Sequence, residues 1–221
     1  MGFGAFEQLT LLTDMLAAVA FAVTGALVAS RKQLDVLGFM WLAVITGVGG
    51  GTVRDLVLDV PVFWVVNPAH VVACLATAMV VYLLAPWIES RRMLVLWFDA
   101  LGLALVTIAG TAKGLDNDTG ALVAIVMGVV TGSVGSIIRD LVGHEPSVIL
   151  RREIYVTAAM LGACTYAAAA TLDHPWLHPA VAGFCVTFAV RGLAIVFNWS
   201  LPGYRRTLRQ SSDNEDRESK M

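Results

Sequence analysis

The chain has 221 residues, of which 57% are hydrophobic and only 14% charged, and its formal net charge is −2. Uncharged runs such as Val36–Val53, Val71–Ile88, Thr119–Ile138 and Ile154–Leu172 exclude an ordinary water-soluble globule. Basic residues are scattered rather than pooled on one face, so no nucleic-acid partner is expected.

At ~1.5 Å per residue, runs of this length cross a hydrocarbon core of about 30 Å as helices. They are continuously apolar rather than alternating, which argues against a transmembrane barrel. The spacing predicts an all-α integral membrane protein with seven spans, at 9–30, 34–58, 68–88, 93–113, 119–143, 153–172 and 178–200. A polar, charge-mixed tail over 203–221 is expected to be disordered. No basic region precedes the first apolar stretch, so that span is expected to stay rather than be cleaved as a leader.

Arg31 and Lys32 follow the first span, Arg91 and Arg92 the third, Arg151 and Arg152 the fifth, and Arg205, Arg206 and Arg209 the seventh. The alternate loops carry Asp59, Asp116, Asp118 and Asp173. The positive-inside rule then predicts an outside amino terminus and a cytoplasmic carboxyl tail, in a multi-pass protein of the bacterial inner membrane. Cys74, Cys164 and Cys185 all fall within spans and are expected to be buried thiols rather than a disulfide.

The most telling feature is a repeat. Thr46-Gly-Val-Gly-Gly-Gly-Thr-Val-Arg-Asp-Leu-Val57 returns as Thr131-Gly-Ser-Val-Gly-Ser-Ile-Ile-Arg-Asp-Leu-Val142, with Pro61 and Pro146 following at matching positions. The offset that carries Arg54 to Arg139 also carries Asp14 to Asp99 and Gly25 to Gly110. A unit of three spans re-enters the membrane from the opposite side on its second pass. The chain therefore divides into a three-helix repeat over 9–88, an inverted copy over 93–172 and an added seventh helix over 178–200. Such symmetry suits a channel and an alternating-access transporter alike.

Gly47, Gly49, Gly50 and Gly51 lie inside the second span, and Gly132, Gly135 and Ser136 at the matching place in the fifth. A glycine costs a helix interior about 1 kcal/mol relative to alanine, so both helices are expected to bend or open here and expose carbonyls to a cation path. The alternative is that Gly47-x-x-x-Gly51 and Gly128-x-x-x-Gly132 only let helices approach closely. Directly after each cluster come charges, Arg54 and Asp55 in one copy and Arg139 and Asp140 in the other. Since a lone charge at such depth is costly, Asp14 is expected to pair with Arg54 and Asp99 with Arg139, at the same separation along the chain in both copies. Snorkelling of the arginines to headgroups is the alternative. Lys113 stands near the end of the fourth span, close enough to snorkel. Arg191 is too deep in the seventh to do so and should face the interior.

The residues offer no catalytic constellation. Of His70, His144, His174 and His178, only the last two have metal-ligand spacing, and Pro175 between them breaks the helix that would align them. No cofactor or fixed metal is expected.

The doubled Thr-Gly-x-x-Gly-x-x-x-Arg-Asp-Leu-Val…Pro signature, the Gly110-Thr-Ala-Lys113 stretch and the three-plus-three-plus-one plan resemble the prokaryotic trimeric intracellular cation (TRIC) channels, over about residues 9–200. The resemblance implies a homotrimer with one potassium-permeable pore per subunit, lined by glycine-kinked second and fifth helices, with membrane lipids and monovalent cations as its other partners. It marks Gly49, Gly50 and Gly51 as the first kink and Gly132 and Gly135 as the second, where Val134-Gly135-Ser136 replaces the full triplet. Lys113 matches the family's fourth-helix lysine, which in animal members opens a Lys-Glu-Val motif; here Gly114 and Leu115 follow. On the residues alone, a secondary transporter of a small solute such as an amino acid remains the other reading.

Overall fold

The computed structural model describes residues 3–88, 91–145, 154–172 and 178–200. The tail 203–221, Pro146, Arg151, Arg152, Asp173 and the His174 half of the histidine pair lie outside the described residues. The helices are α1 (Phe3–Arg31), α2 (Val36–Val57), the short α3 (Phe63–Val66), α4 (Ala69–Leu84), α5 (Arg91–Asp116), α6 (Ala121–Val142), α7 (Val156–Leu172) and α8 (Pro179–Val196). A single 3₁₀ turn, Ala85–Trp87, extends α4. Among the described residues, six helices are long and apolar enough to cross a membrane, and α7, with 17 residues, is a shorter apolar helix. Among the described residues there is one helix more than the seven expected spans, the short α3, which forms after α2 ends at Val57 and Pro61 follows.

The repeat is visible in the backbone itself. α2 and α6 begin and end at equivalent positions, and α1 and α5 end at equivalent positions. The chain leaves α1 through Gln33 at φ 55° and leaves α5 through its equivalent Asp118 at φ 53°. Asp59 after α2 and its equivalent His144 after α6 likewise take positive φ, the left-handed exit of a helix C-terminus. The closing bonds repeat as well: Val60 N–H donates to the Asp55 carbonyl, and Glu145 N–H to that of Asp140. Asp35 caps α2, its side chain accepting from the Gly38 amide at 2.7 Å.

The bundle is held together by close backbone approach over alanine and glycine rather than by large side chains, as expected where lipid tails remove the hydrophobic drive between helices. α1 and α5 are the most enclosed helices and pack on each other; α4 closes over α1 and α2, and α8 over α5 and α7. A Cβ at Gly25 would meet the Leu42 carbonyl and the Thr46 hydroxyl of α2, while one at its equivalent Gly110 would meet the Met127 carbonyl and the Thr131 hydroxyl of α6. Leu42 and Met127 are themselves equivalent under the repeat, so one helix contact is made twice.

Three expectations are corrected here. Both α2 and α6 run as unbroken helix through their glycines; neither opens to expose unpaired carbonyls. Only Cys74 is buried: Cys164 and Cys185 lie on the exposed surface of α7 and α8, where thiols face the apolar surroundings of the bundle. The helix of the sixth span starts at Val156, later than residue 153.

Candidate functional site: a helix crossing between two buried charge clusters

At the centre of the molecule α2 crosses α6, and the crossing is self-symmetric. A Cβ added at Gly50 would run into the Thr131 carbonyl; one at Gly135 would lie 2.9 Å from the Thr46 carbonyl. Gly50 is equivalent to Gly135 and Thr46 to Thr131, so the two contacts exchange under the repeat. The glycines here serve a close crossing, with backbone laid against backbone where no side chain fits. Thr46 and Thr131, both fully buried, turn their hydroxyls back to the carbonyls of Leu42 and Met127. Gly47 faces the Cys74 thiol and the Ala18 carbonyl, Gly51 the Phe63 ring, and Gly132 the Leu103 and Thr107 side chains. Gly49 lies close to Ile138 of α6. The hydroxyls of Thr107 and Ser133 are buried with no hydrogen-bond partner among the described residues.

One cluster lies at the end of α2. Arg54 is fully buried, with Nη1 at 3.1 Å from Asp14 Oδ1 and Nε at 2.8 Å from Asp55 Oδ1. Asp55 also accepts from the Phe63 amide at 2.8 Å, which fixes α3 across the cluster, and the Arg54 guanidinium stands 5.6 Å over the Phe63 ring. His70 meets the same ring edge-on at 4.8 Å. Lys113, from the end of α5, reaches Asp55 Oδ1 at 2.8 Å. Two cations and two carboxylates thus balance in a buried site.

The second cluster lies at the end of α6, on the same end of the bundle as Arg31 and Lys32 at the close of α1 and Arg92 at the start of α5. Arg139 Nη1 is 2.6 Å from Asp99 Oδ1 and 3.1 Å from Thr24 Oγ1, and its Nε and Nη2 donate to Asp140 Oδ1 at 3.0 and 2.8 Å. Ser136 donates to Asp99 at 2.9 Å and shares a 2.6 Å hydrogen bond with the Tyr155 hydroxyl, which also reaches the Gly132 carbonyl. Below the cluster Glu145 joins Arg31 at 3.1 Å and Lys32 at 3.6 Å. Arg191 is 2% exposed, sits 5.1 Å over the Tyr155 ring and donates to the Ile154 carbonyl at 3.5 Å.

Each charged site residue singled out in the sequence lies in or beside one of these two clusters, and both matched Asp–Arg pairs meet in space. Four participants were not foreseen. Phe63 and Thr24 carry no sequence signal. His70 and Tyr155 do: they are equivalent under the repeat, at the start of the third long helix of each copy, and both put a polar ring against their cluster. The Lys113–Asp55 bridge also went unforeseen, because it joins the two repeats and has no mirrored copy; the position equivalent to Lys113 is Val28.

Comparison with known proteins places this arrangement. A family model described as "Glycine transporter" matches twice, over residues 11–86 and 96–171, one match to each copy of the repeat. The UPF0126 inner membrane protein YadS of Escherichia coli K12 is 38% identical over 197 residues, covering 86% of this chain and 94% of that one. Among solved structures, the TRIC trimeric intracellular cation channel orthologue from Rhodobacter sphaeroides is 47% identical, with a TM-score of 0.83 over 86% of this chain and 99% of that one. A prokaryotic TRIC channel crystallised in 0.5 M KCl is 25% identical with a TM-score of 0.82, covering 88% and 100%. A doubled three-helix unit, charged pairs held at both ends of a glycine crossing and this set of relatives identify a multi-pass membrane protein that is not an enzyme, and the chain belongs to the prokaryotic TRIC channel family, the group of membrane proteins that the glycine-transporter model also describes.

Proposed function

We propose that this protein is a potassium-permeable monovalent cation channel, assembled as a homotrimer in the bacterial inner membrane, with one path per subunit along the α2–α6 crossing. The observation that supports it best is the placement of two buried Asp–Arg clusters on either side of a crossing where Gly50 and Gly135 bring the backbones together. The hydroxyls of Thr46, Thr131, Ser133 and Thr107 are buried on α2, α6 and the adjoining α5, those of Ser133 and Thr107 with no hydrogen-bond partner among the described residues, and hydroxyl oxygens are suitable ligands for a partly dehydrated monovalent cation. A path begins to open there when α2 and α6 separate, because no side chain needs to move first. The relatives' names support the cation-channel reading, and the word trimeric in one of them supports the assembly.

In this reading the end of the bundle with Arg31, Lys32 and Arg92 faces the cytoplasm and the Lys113–Asp55 end faces outward. Gly47, Gly49, Gly50, Gly51, Gly132, Gly135 and Ser136 set the width of the path, and Asp14, Arg54, Asp55, Asp99, Arg139 and Asp140 hold its two ends. Potassium is the permeant species, and no cofactor takes part.

A second reading, carriage of a small amino acid such as glycine by alternating access, is favoured by the name of the family model and by the inverted repeat. Purified protein in liposomes separates the two. A channel gives unitary potassium currents and no saturable exchange; a carrier gives glycine counterflow and no current steps.

A further inference from the structure

The short helix α3 is a single turn strung between Pro61 and Pro68, and none of its four residues is buried. It is tied to α2 by the Phe63 amide, which donates to Asp55 Oδ2 at 2.8 Å, and by Trp64 Nε1, which donates to Thr52 Oγ1 at 2.9 Å. Against the Phe63 ring stands His70, 1% exposed near the start of α4. Its Nδ1 lies 3.0 Å from the Asn67 carbonyl, and its Nε2 has no hydrogen-bond partner among the described residues. We propose that His70 is a proton-binding site and α3 the strap it releases: protonation at Nε2 displaces the Phe63 ring and lifts α3 from the end of α2.

The hydrogen bond to Asn67 fixes where the proton goes. A carbonyl only accepts, so Nδ1 carries the hydrogen of the neutral ring and Nε2 is left as a bare acceptor. Histidine is the side chain that ordinarily changes charge between about pH 5 and 8. Among the described residues, the charged groups on the helices packed round α4 at this end are Asp14 of α1 and Arg54 and Asp55 of α2, with Lys113 of α5 on Asp55 and the exposed Asp59 beyond α2. The buried set already holds two cations and two carboxylates. A protonated His70 adds a third cation, and with α3 in place its new N–H has nothing to receive it.

The repeat shows what that N–H would seek. Tyr155, the equivalent of His70, bonds to Ser136, and Ser136 donates to Asp99. In the first copy Gly51 stands in place of Ser136 and Asp14 in place of Asp99. A Cβ at Gly51 would lie 2.6 Å from the Phe63 ring, so this ring fills the space that a serine takes in the other copy. The same ring meets His70 edge-on at 4.8 Å and carries the Arg54 guanidinium at 5.6 Å. A charged His70 follows the route of Tyr155 towards its carboxylate, or reaches water, only once that ring has left. Because α3 is unburied and few bonds hold it, its release is a local opening rather than unfolding of the bundle. The inference rests on the fold and not on the channel reading, and its test needs no current.

Fluorine NMR of the full-length protein in mild detergent, grown with fluorotryptophan, follows the strap through Trp64, whose resonance is identified by its loss in Trp64→Phe. Lowering the pH from about 8 to 5 should move the Trp64 resonance through one reversible single-proton transition. His70→Phe and His70→Gln, two uncharged side chains of different shape, should each hold the resonance at its high-pH position throughout, so the outcome does not hang on one variant folding. His144→Asn, at the opposite end of the bundle, should titrate as the wild type does. A Trp64 resonance indifferent to pH in the wild type, or one that moves as far in the His70 variants, would overturn the proposal. A shift shared by all the tryptophans would overturn it too, because acid would then be loosening the whole bundle instead of releasing α3.

Discussion

Lys113 Nζ lies 2.8 Å from Asp55 Oδ1, and this bridge, from the end of α5 to the end of α2, ties the second repeat to the first at one end of the molecule only. At the other end Val28 occupies the equivalent place. The fold is symmetric in its backbone and asymmetric in its charges. In the proposed channel, the Lys113 end is held by this bridge and the opposite end by Glu145 with Arg31 and Lys32, so each end carries its own ion pairs across the two helix sets. Lys113→Met should raise open probability and leave Asp55 with Arg54 as its cationic partner and the Phe63 amide as its other donor. The single changes Lys113→Met and Asp55→Asn, compared with the double change, should show a coupling of roughly 0.5 to 3 kcal/mol in thermal unfolding. Additive effects would remove the bridge from the working protein.

Arg139 is the hub of the second cluster, touching Asp99, Asp140 and Thr24. Arg139→Ala takes the guanidinium away from two buried carboxylates, Asp99 and Asp140, and should cost about 3 to 5 kcal/mol of stability, with assembly and transport falling together. At the first cluster, Arg54→Ala combined with Asp14→Ala should be milder than the two single losses added, since the pair is removed as a unit. Thermal stability of the purified variants in detergent measures both.

Much of this architecture was legible before any coordinates. The apolar runs located the helices to within a few residues, and the repeat carried Asp14–Arg54 over to Asp99–Arg139 because an inverted copy must place equivalent residues at equivalent depth. What the glycines do was only half legible. Propensity argues that Gly49–Gly51 should break a helix, yet α2 stays whole, since its hydrogen bonds have no water to exchange with in an apolar setting and the α6 backbone packs against the gap the glycines leave. The same limit applies to α3 and Phe63: so short a helix lies below any periodicity signal, and its role comes from the Asp55 carboxylate that receives its first amide. Cys164 and Cys185 were misjudged because a thiol is as apolar as its lipid surroundings, so hydropathy does not tell core from periphery in a membrane.

Tyr155 offers a finer test of the second cluster. Tyr155→Phe keeps the ring under Arg191 and deletes only the hydroxyl that meets Ser136 and Gly132. The expected loss is about 1 kcal/mol, with the fold intact. A larger effect on transport than on stability would place the hydroxyl in the path; no effect on either would show that Ser136 needs only Asp99.

The crossing itself gives the sharpest steric prediction. Gly50→Ala and Gly135→Ala each place a methyl group against a carbonyl of the opposite helix, and should each cost about 1 to 3 kcal/mol. The approach is closer at Gly50, so its loss should be the larger of the two. Gly120→Ala, in open space but at φ 79° and ψ 157°, should cost about 1 to 3 kcal/mol through backbone strain alone and leave transport intact. Circular dichroism melts and liposome flux on the three proteins would decide this.

Assembly is checked by cross-linking or native mass in mild detergent, where three subunits per particle are expected. A monomer that still conducts would refute the homotrimer while leaving the crossing in place.

The most direct measurement is single-channel recording of the purified protein in planar bilayers with potassium on both sides, wild type beside Gly50→Leu. A cation path at the α2–α6 crossing predicts unitary potassium currents for the wild type and none for Gly50→Leu recovered as the same folded oligomer. Unaltered currents from that variant, or saturable solute exchange without current steps from the wild type, would contradict it.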